Sequence, residues 1–206
     1  MEIEIDLISK RFQHGWVFKN LSHQFKPDGI YGIAGRNGSG KSTFLKIISG
    51  LLTPTSGTIR YTTNTTQVIL RENIYQYINI AAPYIDLIEE FTLEEMVHFH
   101  MQFRKTGFKQ AGDWIDIMEL KPASKRLLNH FSSGMKQRVR LALALYSPGE
   151  ILILDEPTSN LDEDAKAWFF NHLELQKRHK TVLLASNEKE DFKFCSEILR
   201  LDIKTP

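Results

Sequence analysis

The sequence predicts an α/β fold with a mostly parallel central sheet, an antiparallel β segment near its start and a helical segment inserted in its middle. Three observations support this class. Residues 30–34 read as a short buried strand that leads through a glycine-rich loop into a helix. Residues 151–154 form a continuous apolar run, typical of a strand covered on both faces. Between residues 87 and 145 the pattern is mostly helical.

Length and composition limit the possibilities further. The chain has 206 residues and a formal charge of +1, so we expect one domain and no overall field that favours nucleic acid. Within that domain we expect a core lobe at about 1–85 and 148–206 and a helical lobe at about 86–147. The longest apolar runs are far shorter than the roughly 20 residues that cross a bilayer, and no signal peptide opens the chain. We therefore expect a cytoplasmic protein.

The first elements are two strands and an aromatic residue between them. Apolar and acidic residues alternate over 3–7, which predicts a half-buried strand, and a second strand is expected over 16–25. Phe12 lies between them and could stack on a nucleotide base. It could equally be a strand-end aromatic, and Trp16 competes for the stacking role, so the residues leave this open.

A phosphate-binding loop follows the strand at 30–34. Its residues fit the pattern G-x-x-x-x-G-K-[ST] and are Gly35, Arg36, Asn37, Gly38, Ser39, Gly40, Lys41, Ser42 and Thr43. Glycines let backbone N–H groups curl round a triphosphate without Cβ clashes. Lys41 is expected to reach the β- and γ-phosphates and Ser42 to bind Mg²⁺, at the start of a helix whose dipole faces the anion. The loop predicts that the protein binds ATP and Mg²⁺.

The middle of the chain predicts helices. After a strand at 58–61 and an exposed stretch at 61–67, Thr92 and Glu95 form a capping box that opens a helix through residue 103. The candidates for its buried side are Met96, Val97, Phe99 and Phe103. A short helix is expected over 111–120. Residues 131–135 then place a serine and glycine turn before a helix at 136–146, which is a second place able to receive an anion or simply an ordinary N-cap.

Two carboxylates follow the apolar run at 151–154. In a protein with a phosphate loop, Asp155 is placed to hold Mg²⁺ and Glu156 to orient or deprotonate the attacking water. A helix containing Trp168 comes next, then a buried strand at 181–185 that leads to Asn187, and a last strand at 198–201. The carboxylates and the loop together predict phosphoryl transfer to water.

These motifs, in this order, resemble those of the ATP-binding subunit, or nucleotide-binding domain, of an ABC (ATP-binding cassette) transporter. The resemblance covers essentially the whole chain and lies in residues 35–57, 131–138 and 155–162. It implies a P-loop NTPase core, an antiparallel β subdomain and a helical subdomain. It also implies an ATPase that pairs with another such domain, as a homodimer or heterodimer, and binds transmembrane permease subunits at the inner face of the cell membrane.

The resemblance also implies further site residues. Two domains would sandwich ATP between the phosphate loop of one and the signature segment of the other. Residues brought to the nucleotide in this way are Ser132, Ser133, Gly134 and Asp162. Phe12 matches the aromatic that stacks on adenine.

Some family positions are filled unexpectedly. A glutamine expected near residues 82–83 is replaced by Ala82 and Pro83, and a catalytic histidine is replaced by Asn187, which can donate only a neutral hydrogen bond to the γ-phosphate. The signature has Ser133 and Met135 for glycine and glutamine. We therefore expect slow hydrolysis in isolation. A hydrolysis-impaired regulatory subunit and a soluble ABC ATPase acting on ribosomes remain alternatives.

Overall fold

The computed structural model of the protein describes residues 1–13, 15–104, 107–178 and 180–201. It confirms the predicted α/β class, with one parallel and one antiparallel sheet. The strands are β1 (Glu2–Phe12), β2 (Gly15–Phe25), β3 (Ile30–Ala34), β4 (Ser56–Thr62), β5 (Val68–Ile69), β6 (Ile78–Ala81), β7 (Ile151–Asp155), β8 (Thr181–Ala185) and β9 (Glu197–Arg200). The helices are α1 (Lys41–Ile48), α2 (Leu93–Phe103), α3 (Ala111–Ile117), α4 (Ser133–Tyr146) and α5 (Glu163–Gln176). Short 3-10 turns lie at Arg71–Gln76, Lys121–Ala123, Leu128–His130 and Lys189–Phe194.

The chain divides into two compact units. The first holds residues 1–78, 149–156 and those from 177 onward, and the second holds residues 79–148 and 157–176. Residues 79–85 and the segment with α5, both expected in the core lobe, group with the second unit. The assignment of residues 1–206 to a single nucleotide-binding domain stays a prediction.

The parallel sheet of the first unit positions the site. Its strands run in the order β7, β8, β3, β9, and every residue of β7 and β8 is buried, as expected for strands covered on both faces. Asp155 at the end of β7 pairs with Ala185 at the end of β8, and Ala185 pairs with Ile33 of β3. Because these strands are parallel and in register, the segments after them leave the sheet at one edge.

The antiparallel sheet of the first unit contains β2, β1, β4 and β5 in that order. Ile3 and Ile5 of β1 face the core as predicted, but Leu7 is 55% exposed and has a φ of 48°, so the predicted alternation is wrong at residue 7. The expectation that residues 61–67 are exposed is wrong at Tyr61 and Thr63, which are both buried. Tyr61 is fully buried and its hydroxyl donates to the carbonyl of Ile48, 2.7 Å away. A large aromatic side chain whose hydroxyl has a hydrogen-bond partner packs well in a core. The threonines that follow Tyr61 made the whole stretch look exposed in the sequence.

The second unit contains the predicted helices with shifted boundaries. Thr92 and Glu95 form the capping box that opens α2, and Met96 and Val97 are buried. Phe99 and Phe103, both predicted to be buried, are 37% and 71% exposed, since the packed face of α2 is narrower than its apolar stripe. The helix expected from residue 136 begins at Ser133, and α3 ends at Ile117 rather than at 120. Within the described ranges, the structure contains no helix that is long and apolar enough to cross a membrane.

Candidate functional site

The phosphate loop lies between β3 and α1, at the edge where the parallel strands end. Gly40 has a φ of 98°, and a Cβ there would lie 2.3 Å from Cγ1 of Val17. Position 40 therefore requires glycine for two reasons, which are the left-handed backbone and the close approach of β2. At Gly35 a Cβ would lie 2.3 Å from the Ser39 hydroxyl, so the loop is folded tightly on itself.

Helix α1 presents its free amide groups at this loop. Its first intrahelical bond runs from the N–H of Phe44 to the carbonyl of Gly40, at 2.8 Å. The preceding N–H groups, of Lys41, Ser42 and Thr43, have no intrahelical acceptor available to them. Together with the helix dipole they form the anion-binding terminus that the sequence predicts.

Lys41 is almost completely buried at the base of the loop. Its ammonium donates to the carbonyl of Gly35 at 3.0 Å and to Oδ1 of Asn187 at 2.7 Å, and it lies 3.8 Å from Oε1 of Glu156. A buried ammonium held by short contacts is a preorganised point charge. The structure thus joins Lys41, Glu156 and Asn187, which the sequence predicted for one site from distant motifs.

Asp155 ends β7 with a buried carboxylate. Its side chain is 1% exposed, and neither carboxylate oxygen accepts a hydrogen bond of ordinary geometry from the described residues. Burial raises the pKa of the Asp155 carboxyl, while the nearby Ser42 hydroxyl and the Lys41 charge lower it in part. Buried polar atoms are normally hydrogen-bonded, so two such oxygens beside Ser42 make Asp155 a candidate ligand for a cation.

Glu156 follows at once and turns the chain. Its φ is 50°, in the left-handed region that a residue with a Cβ seldom adopts, and its N–H donates to the carbonyl of Ala185 at 2.8 Å. Such backbone strain is concentrated at functional sites. Burial raises the pKa of the Glu156 carboxyl, the Lys41 charge lowers it, and the nearby carboxylates of Asp155 and Asp191 raise it. A carboxylate of raised pKa is a stronger base.

Asn187 occupies the centre of these side chains. Its Nδ2 donates to Oε1 of Glu156 at 2.9 Å and to Oδ1 of Asn37 at 2.6 Å. Its backbone N–H lies 3.4 Å from the other Glu156 oxygen, Oε2. The contact between Asn37 and Asn187 was not predicted, because nothing in either local sequence indicates a partner 150 positions away.

The residues predicted from the signature segment lie in the second unit. Ser132 caps α4, its hydroxyl oxygen accepting from the N–H of Met135 at 3.2 Å. Ser132, Ser133, Gly134 and Asp162 line a cavity of about 350 Å³. Asp162 also accepts from the N–H of Ala165, at 2.8 Å, at the start of α5. The cap that was the alternative explanation is therefore present, and the serine hydroxyl hydrogen is still able to donate.

The aromatic candidates for base stacking are both partly exposed in the first unit. Phe12 is 46% exposed with the Lys10 ammonium 4.9 Å from its ring, and Trp16 is 42% exposed. The structure does not choose between them, and stacking by Phe12 stays a prediction. In the second unit Ala82 is buried and Pro83 is exposed, and neither side chain can bind a metal.

The donor set of the first unit fits magnesium. A hydroxyl and one carboxylate are typical of protein sites in which phosphate and water supply the remaining oxygens. Ser42 and Asp155 would hold the ion, whose charge would offset that of the phosphates. The arrangement can thus bind a triphosphate with Lys41 and present Glu156 to a water molecule.

Comparison with known proteins finds similarity to the ATP-binding proteins of ABC transporters. The ABC transporter family profile matches residues 18–159. An uncharacterized ABC transporter ATP-binding protein of Bacillus subtilis, YybJ, is 30% identical over 92% of this chain and 87% of its own length. The chain spans only 52–64% of several other relatives. A solved ABC transporter ATP-binding protein of Pyrococcus furiosus superposes with a TM-score of 0.81 at 25% identity, covering 98% of both chains. The cassette MJ0796, solved as a dimer in a post-hydrolysis state with ADP and Pi, has a TM-score of 0.83 at 24% identity, over 97% of this chain and 94% of its own.

Proposed function

Since this chain belongs to the ABC transporter family as an ATP-binding subunit, we propose that it hydrolyses Mg-ATP and powers transport through a membrane permease. One observation carries the proposal. The buried ammonium of Lys41, the buried carboxylate of Asp155 and the carboxylate of Glu156 converge on the phosphate loop. This is the set that phosphoryl transfer to water needs: charge stabilisation, a metal ligand and a base.

The proposed reaction divides among these residues. Lys41 and the N–H groups at the start of α1 bind the β- and γ-phosphates. Ser42 and Asp155 would hold Mg²⁺, which would supply positive charge against the charge that develops on the phosphates. Glu156 orients a water molecule whose oxygen attacks the γ-phosphorus. The carboxylate takes the water proton, the bond to the β-phosphate oxygen breaks, and ADP and phosphate leave.

We infer that hydrolysis occurs in a dimer with another nucleotide-binding domain, either a second copy or a related chain. The cavity lined by Ser132, Ser133, Gly134 and Asp162 supports this, because it lies at a helix N-terminus suited to phosphate. A Cβ at Gly134 would lie 2.9 Å from the carbonyl of Asn160, so the turn there is close-packed. The likeness to the dimeric cassette MJ0796 supports the same arrangement.

A surface formed by α2 and the segment before it supports the permease as partner. Phe91, Phe99 and Phe103 form a row with ring centroids 5.7 and 4.9 Å apart, and the last two are exposed. Residues 84–104 hold five acidic residues and one basic residue. Cytoplasmic loops of membrane proteins carry excess lysine and arginine, so this acidic and aromatic surface complements them. The protein would then act in the cytoplasm, at the inner face of the membrane.

Turnover in isolation is proposed to be slow, because an amide at position 187 can never become a cation. Loss of a charge-assisted bond of roughly 1.5–3 kcal/mol corresponds to about one to two orders of magnitude in rate.

A hydrolysis-impaired regulatory subunit and an ATPase acting on ribosomes are the alternatives. Co-purification separates them, since a permease, an active partner subunit or ribosomes would be recovered. Phe103→Ser should weaken permease recovery, whereas Leu175→Ser, at a residue on α5 that is 67% exposed, should not.

Two variants test the proposed activity. Lys41→Ala removes the ammonium and should weaken ATP binding in calorimetry by several kcal/mol at most. Glu156→Gln keeps the geometry without the base, so it should bind Mg-ATP, double its mass in light scattering and leave ATP intact. Unchanged ATP affinity in the first variant, or parental turnover without dimer formation in the second, would refute the proposal.

A further inference from the structure

The amide of Asn187 uses both of its N–H groups within the protein. One donates to Oε1 of Glu156 at 2.9 Å and the other to Oδ1 of Asn37 at 2.6 Å, while Oδ1 of Asn187 accepts from Lys41 at 2.7 Å. A primary amide has two donor hydrogens and no more. The side chain therefore cannot donate to a phosphate without giving up one of these contacts.

The contacts of Asn187 fix the direction of the Glu156 carboxylate. The side-chain N–H of Asn187 donates to Oε1, and its backbone N–H lies 3.4 Å from Oε2. One residue therefore contacts both oxygens of the carboxylate. The orientation of the carboxylate consequently depends on which way the Asn187 amide points. A flipped amide would turn its oxygen towards the carboxylate and repel it.

Two neighbours select the productive amide orientation. Lys41 donates to the amide oxygen, and Asn37 accepts from the amide nitrogen. When ATP binds, its phosphates compete with Asn187 for the Lys41 ammonium. The acceptor oxygen of Asn37 is then the contact that keeps the amide from flipping.

We propose that Asn37 is a positioning residue for Glu156, acting through Asn187, rather than a ligand of the nucleotide. The proposal rests on the ATPase function proposed above. It also accounts for the pairing of these two residue types. A histidine at 187 has two ring nitrogens, and these cannot make three separate contacts with Lys41, Glu156 and Asn37 at once.

A double-mutant cycle tests this in the full chain. We expect Asn37→Ala to lower kcat about tenfold in single-turnover assays, the scale of one lost hydrogen bond, and to change the ATP dissociation constant less than about threefold. In an Asn187→Ala background the same substitution should have almost no further effect, because the link is already broken. Asn37→Asp keeps the acceptor oxygen and should recover most of kcat at saturating Mg-ATP.

Asn171→Ala, at an exposed position of α5, serves as the matched control and should behave as the parent. A parental kcat in Asn37→Ala would overturn the positioning role. Equal losses in the parent and Asn187→Ala backgrounds, with weaker ATP binding, would show that Asn37 is a nucleotide ligand. Neither result affects the proposed ATPase, which fails instead if the parent does not hydrolyse ATP or if Glu156→Gln hydrolyses it at the parental rate.

Discussion

Replacing Asp155 by asparagine separates the magnesium site from the rest of the fold, because the side chain keeps its shape and loses its charge. Asp155 is 1% exposed, and its two oxygens lack hydrogen-bond partners in the described part of the chain. Leaving a buried polar group unpaired costs about 1–3 kcal/mol, and more for a charge. Asparagine removes the charge but is still polar, so only part of this cost is recovered. We expect the free energy of unfolding of the metal-free variant to rise by about 1 kcal/mol, or roughly 2–4 °C in Tm for a chain of this size.

The same change should have the opposite effect with Mg-ATP present. A ligand at one hundred times its Kd stabilises a protein by about 2.7 kcal/mol, or roughly 5–11 °C here. The variant keeps Lys41 and the loop but lacks the carboxylate that would hold the ion. Its extra stabilisation on adding Mg²⁺ to ATP should therefore be largely lost.

Calorimetric scans in EDTA, in EDTA with ATP and in Mg-ATP measure both effects. Asp116→Asn is the control, because that carboxylate is 58% exposed and only pairs with Lys121 at 3.4 Å. A surface change of this kind should stay within about 0.5 kcal/mol. If Asp155→Asn destabilises the metal-free protein, or shows the parental gain with Mg²⁺, Asp155 is a structural carboxylate and the magnesium assignment is wrong.

Three further changes test the strained and buried parts of the structure. Glu156→Gly should be about 1 kcal/mol more stable than Glu156→Ala in urea unfolding, because only glycine adopts a φ of 50° freely; equal stabilities would contradict the strain. Gly40→Ala should abolish ATP binding and destabilise the fold by more than about 1 kcal/mol. Adding Val17→Ala should restore only part of the lost stability, because it removes the clash with the new Cβ but leaves alanine at a φ of 98°. A double variant with parental stability would show that packing alone requires the glycine. Burial lowers the pKa of His100 from 6.5 to about 4, so its proton is bound more weakly in the folded state and stability falls as the pH drops below 6.5. Between pH 7 and pH 5, the free energy of unfolding should fall by about 1–2 kcal/mol less in His100→Gln than in the parent. An identical fall in both proteins would show that the acid sensitivity has another source.

The local sequence was sufficient for the fold class and for the strands and the helix that flank the predicted site residues of the first unit. The apolar run at 151–154 and the buried strand predicted at 181–185 match β7 (Ile151–Asp155) and β8 (Thr181–Ala185), and the phosphate loop lies between a strand and a helix as its pattern requires. These features are set by short-range backbone geometry. A glycine-rich turn, a continuous apolar run and a helix N-terminus each need only neighbouring residues to be recognised.

Tertiary structure alone decided how the side chains meet. The sequence placed Asn37 and Asn187 in one site but not in contact, and it did not reveal the left-handed backbone at Glu156. It also predicted a buried Phe103 that the structure leaves exposed. Burial and hydrogen-bond partners depend on residues far away along the chain, which approach only when strands are in register and helices have packed. A pattern read along the sequence therefore identifies the groups, whereas the partner of each group is selected by the folded chain around it.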